Sequence, residues 1–301
     1  MTIAVFGLGY VGSTLAALLA RRHQVFALDK NKERAEAVCQ GRSPIGSPLM
    51  ETVLQEAGAR LKAGNDPQEA LAEAEFVVIA TNTELDTASG RLNTASVEEI
   101  VERIAREGEK GLFSGRAFPV IVIRSTVPTG FTEKLQKKYP AYSFLFCPEF
   151  LREKTAMEDV LSPSRLIIGR EKGGEEAALS WSKLVISCLD KEVSLLYTST
   201  AEAEAIKLFS NSYLALRIAF FNELDTFARI KGLDTDTLIK GVCRDPRIGD
   251  YYNVPGPGFG GNCLPKDSCQ LAADFGEIPE HLIRAAIKAN EYRKEFMEGK
   301  E

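Results

Sequence analysis

The stretch Thr2-Ile3-Ala4-Val5-Phe6-Gly7-Leu8-Gly9-Tyr10-Val11-Gly12 decides the fold. Thr2–Phe6 is a short apolar run that stops at a glycine, the pattern of a parallel strand buried on both faces. Ser13–Arg22 follows with helix-forming Ala and Leu, and Gln24–Leu28 is strand-like again and ends at Asp29. Strand, glycine loop, helix and strand within about thirty residues make one βαβ unit. A G-x-G-x-x-G spacing is weak evidence alone, but here it lies between strand and helix, where dinucleotide binding requires it. Gly7 allows the tight turn, Gly9 lets the backbone approach a pyrophosphate, and Gly12 lets helix pack on strand. Tyr10 and Val11 complete this loop, and amides at the helix N-terminus face the phosphates. Asp29 can accept hydrogen bonds from a ribose diol and repels a 2′-phosphate, which favours NAD over NADP. Lys30, Lys32 and Arg34 weaken that preference, and Arg34 counts among the cofactor neighbours.

Working outward, the alternation continues. Lys32–Gln40, Val97–Glu107, Thr129–Lys138 and Glu175–Ser187 read as helices. Phe76–Ala80, Pro119–Arg124, Ser143–Cys147, Arg165–Gly169 and Glu192–Tyr197 read as strands. This predicts an α/β domain over residues 1–198, a Rossmann-type doubly wound parallel sheet covered by helices on both faces. The texture then changes. Ala201–Lys231 has neither proline nor glycine and reads as one long connecting helix, opening an all-helical central domain over residues 199–301. Its apolar positions Ile206, Phe209, Leu216, Phe220, Leu224 and Phe227 suit either an internal core or a homodimer contact. Asp245–Lys266 is irregular, with five glycines and four prolines, and loops of this length in compact domains are often functional. A last helix over Pro279–Met297 leads to a polar end, Glu298–Glu301.

Composition narrows the function. The net charge of −5 gives no basic patch for nucleic acid or membrane. No apolar run approaches the ~18 residues of a membrane span, and the N-terminus lacks a signal-peptide pattern, so a cytoplasmic protein is expected. Six scattered cysteines without a C-x-x-C pair, and only two histidines, leave no zinc motif; no metal is expected.

Three segments hold candidate chemistry. They are Phe146–Glu153, Glu204–Asn211 and Pro257–Asp267. Cys263 follows a glycine-rich loop and has Lys266 and Asp267 nearby; it is either an ordinary loop thiol or a nucleophile for a carbonyl. Lys207 and Asn211 are four apart, hence on one helix face, and suit stabilisation of an oxyanion. Lys207 alone reads more often as a solvated surface lysine, and Glu149 with Glu153 reads also as a solvated acidic helix face.

Taken together, GLGYVG (Gly7–Gly12), RSTVPTGFT (Arg124–Thr132), PEFLRE (Pro148–Glu153), SPSRLIIG (Ser162–Gly169), EAIKLFSNSYLALRIAFFNEL (Glu204–Leu224) and GFGGNCLPKD (Gly258–Asp267) resemble the UDP-glucose/GDP-mannose dehydrogenase family, most of all its UDP-glucose 6-dehydrogenase branch. The resemblance implies a two-step oxidation of the UDP-glucose C6 alcohol to UDP-glucuronate with two NAD, the kind of product used in polysaccharide biosynthesis. It makes Cys263 the nucleophile, passing through a thiohemiacetal and a thioester. Lys207 and Asn211 then stabilise negative charge on oxygen, and Asp267 helps to activate water. Thr126 and Glu153 match positions near the nicotinamide and the catalytic water, Glu149 a further active-site carboxylate, and Lys266 and Thr83 cofactor neighbours. Phe150, Leu151, Arg152, Tyr252 and Gly260, with Lys207 and Asn211, match the substrate site. Arg247 matches an arginine that reaches across a dimer, or else makes a loop salt bridge.

Two departures stand out. Family members continue into a second Rossmann-like domain that helps hold the nucleotide, whereas this sequence stops at Glu301, which suggests a truncated or naturally short chain. The family usually has proline where Asn82 stands. The alternatives are a dehydrogenase of GDP-mannose or a UDP-N-acetyl sugar, and a non-catalytic NAD-binding dimerisation module.

Overall fold

A computed structural model describes residues 1–299; Lys300 and Glu301, the last two positions of the polar end and of the 199–301 domain, lie outside the described residues. The chain forms two compact units, Met1–Thr83 with Asn93–Lys207, and Glu84–Leu92 with the chain from Leu208 onward.

The first unit opens with β1 (Thr2–Phe6), α1 (Tyr10–Ala20), β2 (Gln24–Leu28), α2 (Lys32–Cys39), α3 (Pro48–Ala57), β3 (Leu61–Gly64), α4 (Pro67–Ala72) and β4 (Phe76–Ile79). A small hairpin of β5 (Leu85–Asp86) and β6 (Arg91–Leu92) leaves it for the second unit. The first unit resumes with α5 (Ala95–Glu109), β7 (Val120–Ile123), α6 (Phe131–Lys138), β8 (Phe144–Phe146), α7 (Ala156–Leu161), β9 (Arg165–Arg170), α8 (Glu175–Cys188) and β10 (Ser194–Thr198). The next helix, α9 (Thr200–Lys231), begins in the first unit and continues into the second. The second unit then adds α10 (Thr235–Cys243), α11 (Cys263–Asp274) and α12 (Leu282–Met297).

The sheet has eight strands in the order β10-β9-β8-β7-β4-β1-β2-β3. Its pairs are parallel except β8 with β9, so the expected doubly wound parallel sheet carries one antiparallel pairing. The chain from Cys147 to Ser164 leaves the carboxyl end of β8 and runs through α7, which packs with α1 on one face of the sheet before β9 begins. One face packs on α1, α3, α7 and α8 through residues such as Leu15, Leu18, Met50 and Trp181. The other packs on α4, α5, α6 and the start of α9 through Leu71, Ile104, Leu135 and Ala203.

Helix α1 starts at Tyr10, not Ser13, because the last residues of the glycine loop form its first turn. Helices α3 and α4 were not expected from the sequence, although Ser47 and Asp66 cap their first turns and proline follows each. In the second unit, α9 and α12 enclose Phe259 with Ala215, Ala219 and Ala286, and Phe221 packs on Ile239 and Cys243 of α10. The hairpin joins α11, where Gln270 accepts the Leu92 N–H at 2.6 Å.

Candidate active site

The first unit builds a cradle at the carboxyl ends of β1, β2 and β4. An added Cβ on Gly12 would stand 1.8 Å from the Gly7 carbonyl oxygen, and one on Gly7 2.6 Å from that of Ala80. Gly7 has φ +95°, a conformation glycine adopts without strain. Gly9 instead faces open space, as a backbone that must approach a phosphate does. Asp29 accepts the Leu8 N–H at 2.7 Å through one oxygen and the Asn31 N–H at 2.8 Å through the other. Each oxygen keeps a lone pair for a ribose hydroxyl. Arg34 stands 3.9 Å from the same carboxylate. These residues fit a dinucleotide: an open glycine, a free helix N-terminus and an ionisable group held at the second strand's end.

Beside this loop, Thr83 is buried and its hydroxyl donates to the Thr126 carbonyl at 2.8 Å. Ser96 donates to the Asn82 carbonyl at 3.1 Å, so the segment without the family's proline is fixed from α5.

The next cluster surrounds Lys207. Its side chain is 4% exposed and donates to the Glu149 carbonyl at 2.7 Å and the Glu149 carboxylate at 2.9 Å. The solvated-lysine reading is thereby excluded. Burial pushes the Glu149 carboxyl up, but the Lys207 charge and the hydrogen bonds from Lys207 and the Leu151 N–H outweigh it and hold the carboxyl below its ordinary range. Arg124 donates to the carbonyls of Cys147 at 2.9 Å and Pro148 at 3.0 Å, which shapes the turn that presents Glu149. Phe150 lies under the Arg165 guanidinium, 3.8 Å from ring centre to Cζ. Arg152 folds back onto Asp159 at 2.7 Å, and Glu153 is exposed at the start of a single 3₁₀ turn. One turn before Lys207, Glu204 is fully buried and accepts the N–H groups of Gly130 and Thr132 at 2.6 and 2.8 Å. Burial pushes its carboxyl up to about 7 against those donors.

The second unit carries the remaining candidates. Asn211 donates to Asp267 at 2.6 Å, and both are buried. Lys266 stands 3.3 Å from the other Asp267 oxygen. Cys263 is half-buried and is the first residue of α11, so Asp267 lies one turn further along the same helix. A helix N-terminus favours a thiolate. Tyr252 is exposed with φ +49°, and Gly260 faces open space. Arg247 is 88% exposed and pairs with Asp245 at 2.6 Å, the loop salt bridge that was one of its two readings. Each unit thus assembles its own group, Glu149 with Lys207 and Phe150 in the first, Asn211 with Lys266 and Asp267 in the second.

Comparison with known proteins identifies the fold. The model of the "UDP-glucose/GDP-mannose dehydrogenase family, NAD binding domain" matches residues 1–182, and that of the family's central domain matches residues 201–292. The chain belongs to the UDP-glucose/GDP-mannose dehydrogenase family. As a member it is an NAD-dependent oxidoreductase, and NAD is the cofactor of its first domain. It is 40% identical to the UDP-glucose 6-dehydrogenase of Streptococcus pneumoniae over 99% of this chain and 75% of that one. A UDP-glucose dehydrogenase structure from Pyrobaculum islandicum superposes with a TM-score of 0.86 at 32% identity, covering 98% of this chain and 68% of the other. A UDP-D-ManNAc dehydrogenase structure from Pyrococcus horikoshii superposes with a TM-score of 0.85 at 26% identity, covering 99% and 70%.

Arg124 and Glu204 lie inside the family motifs, but the sequence alone assigned them no role. A charged residue beside a run that must turn sharply, such as Arg124 before Ser125–Gly130, was the available signal. No helix among the described residues is long and apolar enough to cross a membrane, and no group of His, Cys, Asp or Glu among them is arranged to hold a metal.

Proposed function

We propose that the chain oxidises the C6 alcohol of UDP-glucose to the carboxylate, with Cys263 as nucleophile. The observation that carries this reading is Cys263 at the first position of α11, one turn from a buried Asp267 that Asn211 holds at 2.6 Å. The 40% identity to a UDP-glucose 6-dehydrogenase supports UDP-glucose over other sugar nucleotides. NAD, held by the Gly7–Gly12 loop and Asp29, would supply the hydride acceptor for each of the two oxidations.

The residues act on what remains. As C6 loses its first hydride, the alcohol proton leaves, and Lys207 and Asn211 stabilise charge on the oxygen. The Cys263 thiolate then adds to the aldehyde carbon, and the oxygen of the thiohemiacetal meets the same two donors. Loss of the second hydride leaves a thioester. Water adds to it, Asp267 manages the proton, and cleavage of the C–S bond releases the acid and restores the thiol. Thr126, Glu149 and Glu153 serve this site, and Phe150, Leu151, Arg152, Tyr252 and Gly260 hold the sugar nucleotide.

The active form is a homodimer through α9. Phe209, Tyr213, Phe220, Phe227 and Ile230 are each about half exposed or more and recur along one helix face, which a partner copy would cover. Arg247, exposed and paired in this chain with Asp245, would leave that pair to reach the neighbouring subunit. The six cysteines, none in a disulfide, suit the cytoplasm, where the uronate would feed polysaccharide synthesis.

Cys263→Ala in an active preparation should keep NAD binding and lose UDP-glucuronate. Undiminished uronate production by that variant overturns the mechanism. A panel of UDP-glucose, GDP-mannose and UDP-N-acetyl sugars read by NADH formation assigns the substrate. NAD binding and dimers without NADH from any sugar would instead assign the non-catalytic module.

A further inference from the structure

The loop that leads into Cys263 is held by its backbone from two helices of the second unit. Asn222 on α9 accepts the Gly256 N–H at 2.9 Å, and Arg293 on α12 donates to the Gly256 carbonyl at 2.8 Å. Three residues on, Asn290 accepts the Phe259 N–H at 2.6 Å and donates to the Phe259 carbonyl at 3.0 Å. Asn290 thus satisfies both main-chain groups of Phe259, as a neighbouring strand would. Asn290 and Arg293 are 5% and 3% exposed, so water does not compete for these bonds. Arg293 is itself fixed by Asp225 at 2.5 Å and Thr226 at 2.7 Å. The Phe259 ring is buried against Ala215, Ala219 and Ala286.

Gly258 completes the grip. At φ +133°, an added Cβ would come within 2.7 Å of the Asn290 amide oxygen. Gly260 and Gly261 have no atom within 4 Å of an added Cβ, and Asn262 precedes α11 without a side-chain cap bond. Two open glycines are costly to order, so the last fixed point before the thiol matters.

We infer that Asn290, steadied by Arg293, is a positioning residue for Cys263: its two bonds to the Phe259 backbone hold the approach to α11 so that the first turn forms and the thiol stays at the helix N-terminus. The inference rests on the reading of Cys263 as nucleophile. Once the grip is lost, the first turn frays, and the thiol loses the aligned amides that favour its ionised form. The residue acts on the loop and touches no reacting atom.

The test uses the 301-residue chain with Asn290→Asp and, separately, Gly258→Ala. The first change keeps shape but removes the donor to the Phe259 carbonyl; the second drives a methyl group into the amide from the loop side. Hydrogen exchange across residues 256–266 and site-resolved alkylation of Cys263 by iodoacetamide against pH are measured, with NAD titration as a control on the first unit. Both variants should lose amide protection over this segment and alkylate Cys263 with a midpoint at higher pH, while NAD affinity stays within about twofold. A Cys263 midpoint and exchange pattern equal to the parent's in either folded variant overturns the inference. Failure of the nucleophile reading appears elsewhere, as uronate made by Cys263→Ala, and the exchange and alkylation results test the grip independently of it.

Discussion

The two glycine-rich loops, Gly7–Gly12 and Gly256–Gly261, are shaped by different means. In the first, backbone meets backbone: Gly12 has room only for hydrogen above the Gly7 carbonyl, where an added Cβ would stand at 1.8 Å. In the second, only Gly258 is crowded by a side chain, the Asn290 amide oxygen at 2.7 Å, and Gly260 and Gly261 stand in the open. The first loop is shaped mostly by main chain, its own at Gly12 and that of Ala80 at Gly7. The second takes its shape from side chains on α9 and α12, among them Asn290, 31 residues away. A loop shaped by main chain should fail sharply at one atom, and a borrowed one should fail wherever its support fails. Gly12→Ala is therefore the most damaging change. We expect it to destabilise the first unit by about 3 kcal/mol or more and to push NAD binding beyond detection in a fluorescence titration. Gly9→Ala, in open space, should melt like the parent yet bind NAD more weakly. Equal behaviour of the two variants would break the contrast.

The same difference explains what the sequence displayed. The strand, the Gly7–Gly12 spacing and Asp29 are local, and each could be placed from its neighbours. Seven of the eight strands follow from alternating elements, but edge strand β3 and the antiparallel β8–β9 pair do not. That reversal depends on where the chain from Cys147 to Ser164 packs, which periodicity does not encode. The hairpin of β5 and β6 is invisible in the sequence because two-residue strands carry no alternation. Cys263, Lys207, Asn211 and Asp267 were visible through their motifs. The burial of Lys207 against Glu149, 58 residues away, was not, since an isolated lysine on a helix is usually solvated. Asn290 and Arg293 lie in an amphipathic helix with no feature to distinguish them from surface residues.

The support of the second loop can be attacked at its base. Arg293 and Asp225 are 3% and 4% exposed and pair at 2.5 Å. Arg293→Met leaves the Asp225 carboxylate buried with Arg229 and Thr235, a loss of about 3 kcal/mol in urea denaturation near neutral pH. Asp225→Leu combined with Arg293→Met should recover most of it. Burial pushes the Asp225 carboxyl up, but the bonds from Arg293, Thr235 and Arg229 outweigh it and hold it below its ordinary range. A depressed carboxyl contributes stability that is present above its unfolded value and lost as pH falls through the folded one. The gap between parent and Arg293→Met should therefore narrow below about pH 4. A gap that stays constant into acid would show that Arg293 acts through packing alone.

Glu204 gives the first unit a distant grip of its own, and its chemistry separates the two. Its carboxylate, 74 residues from Gly130, accepts two main-chain N–H groups at 2.6 and 2.8 Å, where Asn290 uses a neutral amide. The amide does not titrate, but the carboxyl does. With burial raising it to about 7 from an ordinary 4.5, the folded chain holds a proton that the unfolded chain has released. Stability from this group is present in full below pH 4.5 and is lost as pH rises towards about 7, by about 1–3 kcal/mol. Glu204→Gln should flatten that slope, read as the difference in urea midpoint between variant and parent at pH 5 and above pH 7, so that His23 and other titrating groups cancel. It also turns an amide donor towards one main-chain N–H and so should lower stability at acid pH, where the parent carboxyl is neutral. Asn290→Asp brings a titratable carboxyl to the second loop and should create a pH slope there. If Glu204→Gln and the parent lose stability in parallel from pH 5 upward, the Gly130–Thr132 turn is held by the rest of its packing, and the second loop is the only one of the two whose shape rests on a side chain from a distant helix.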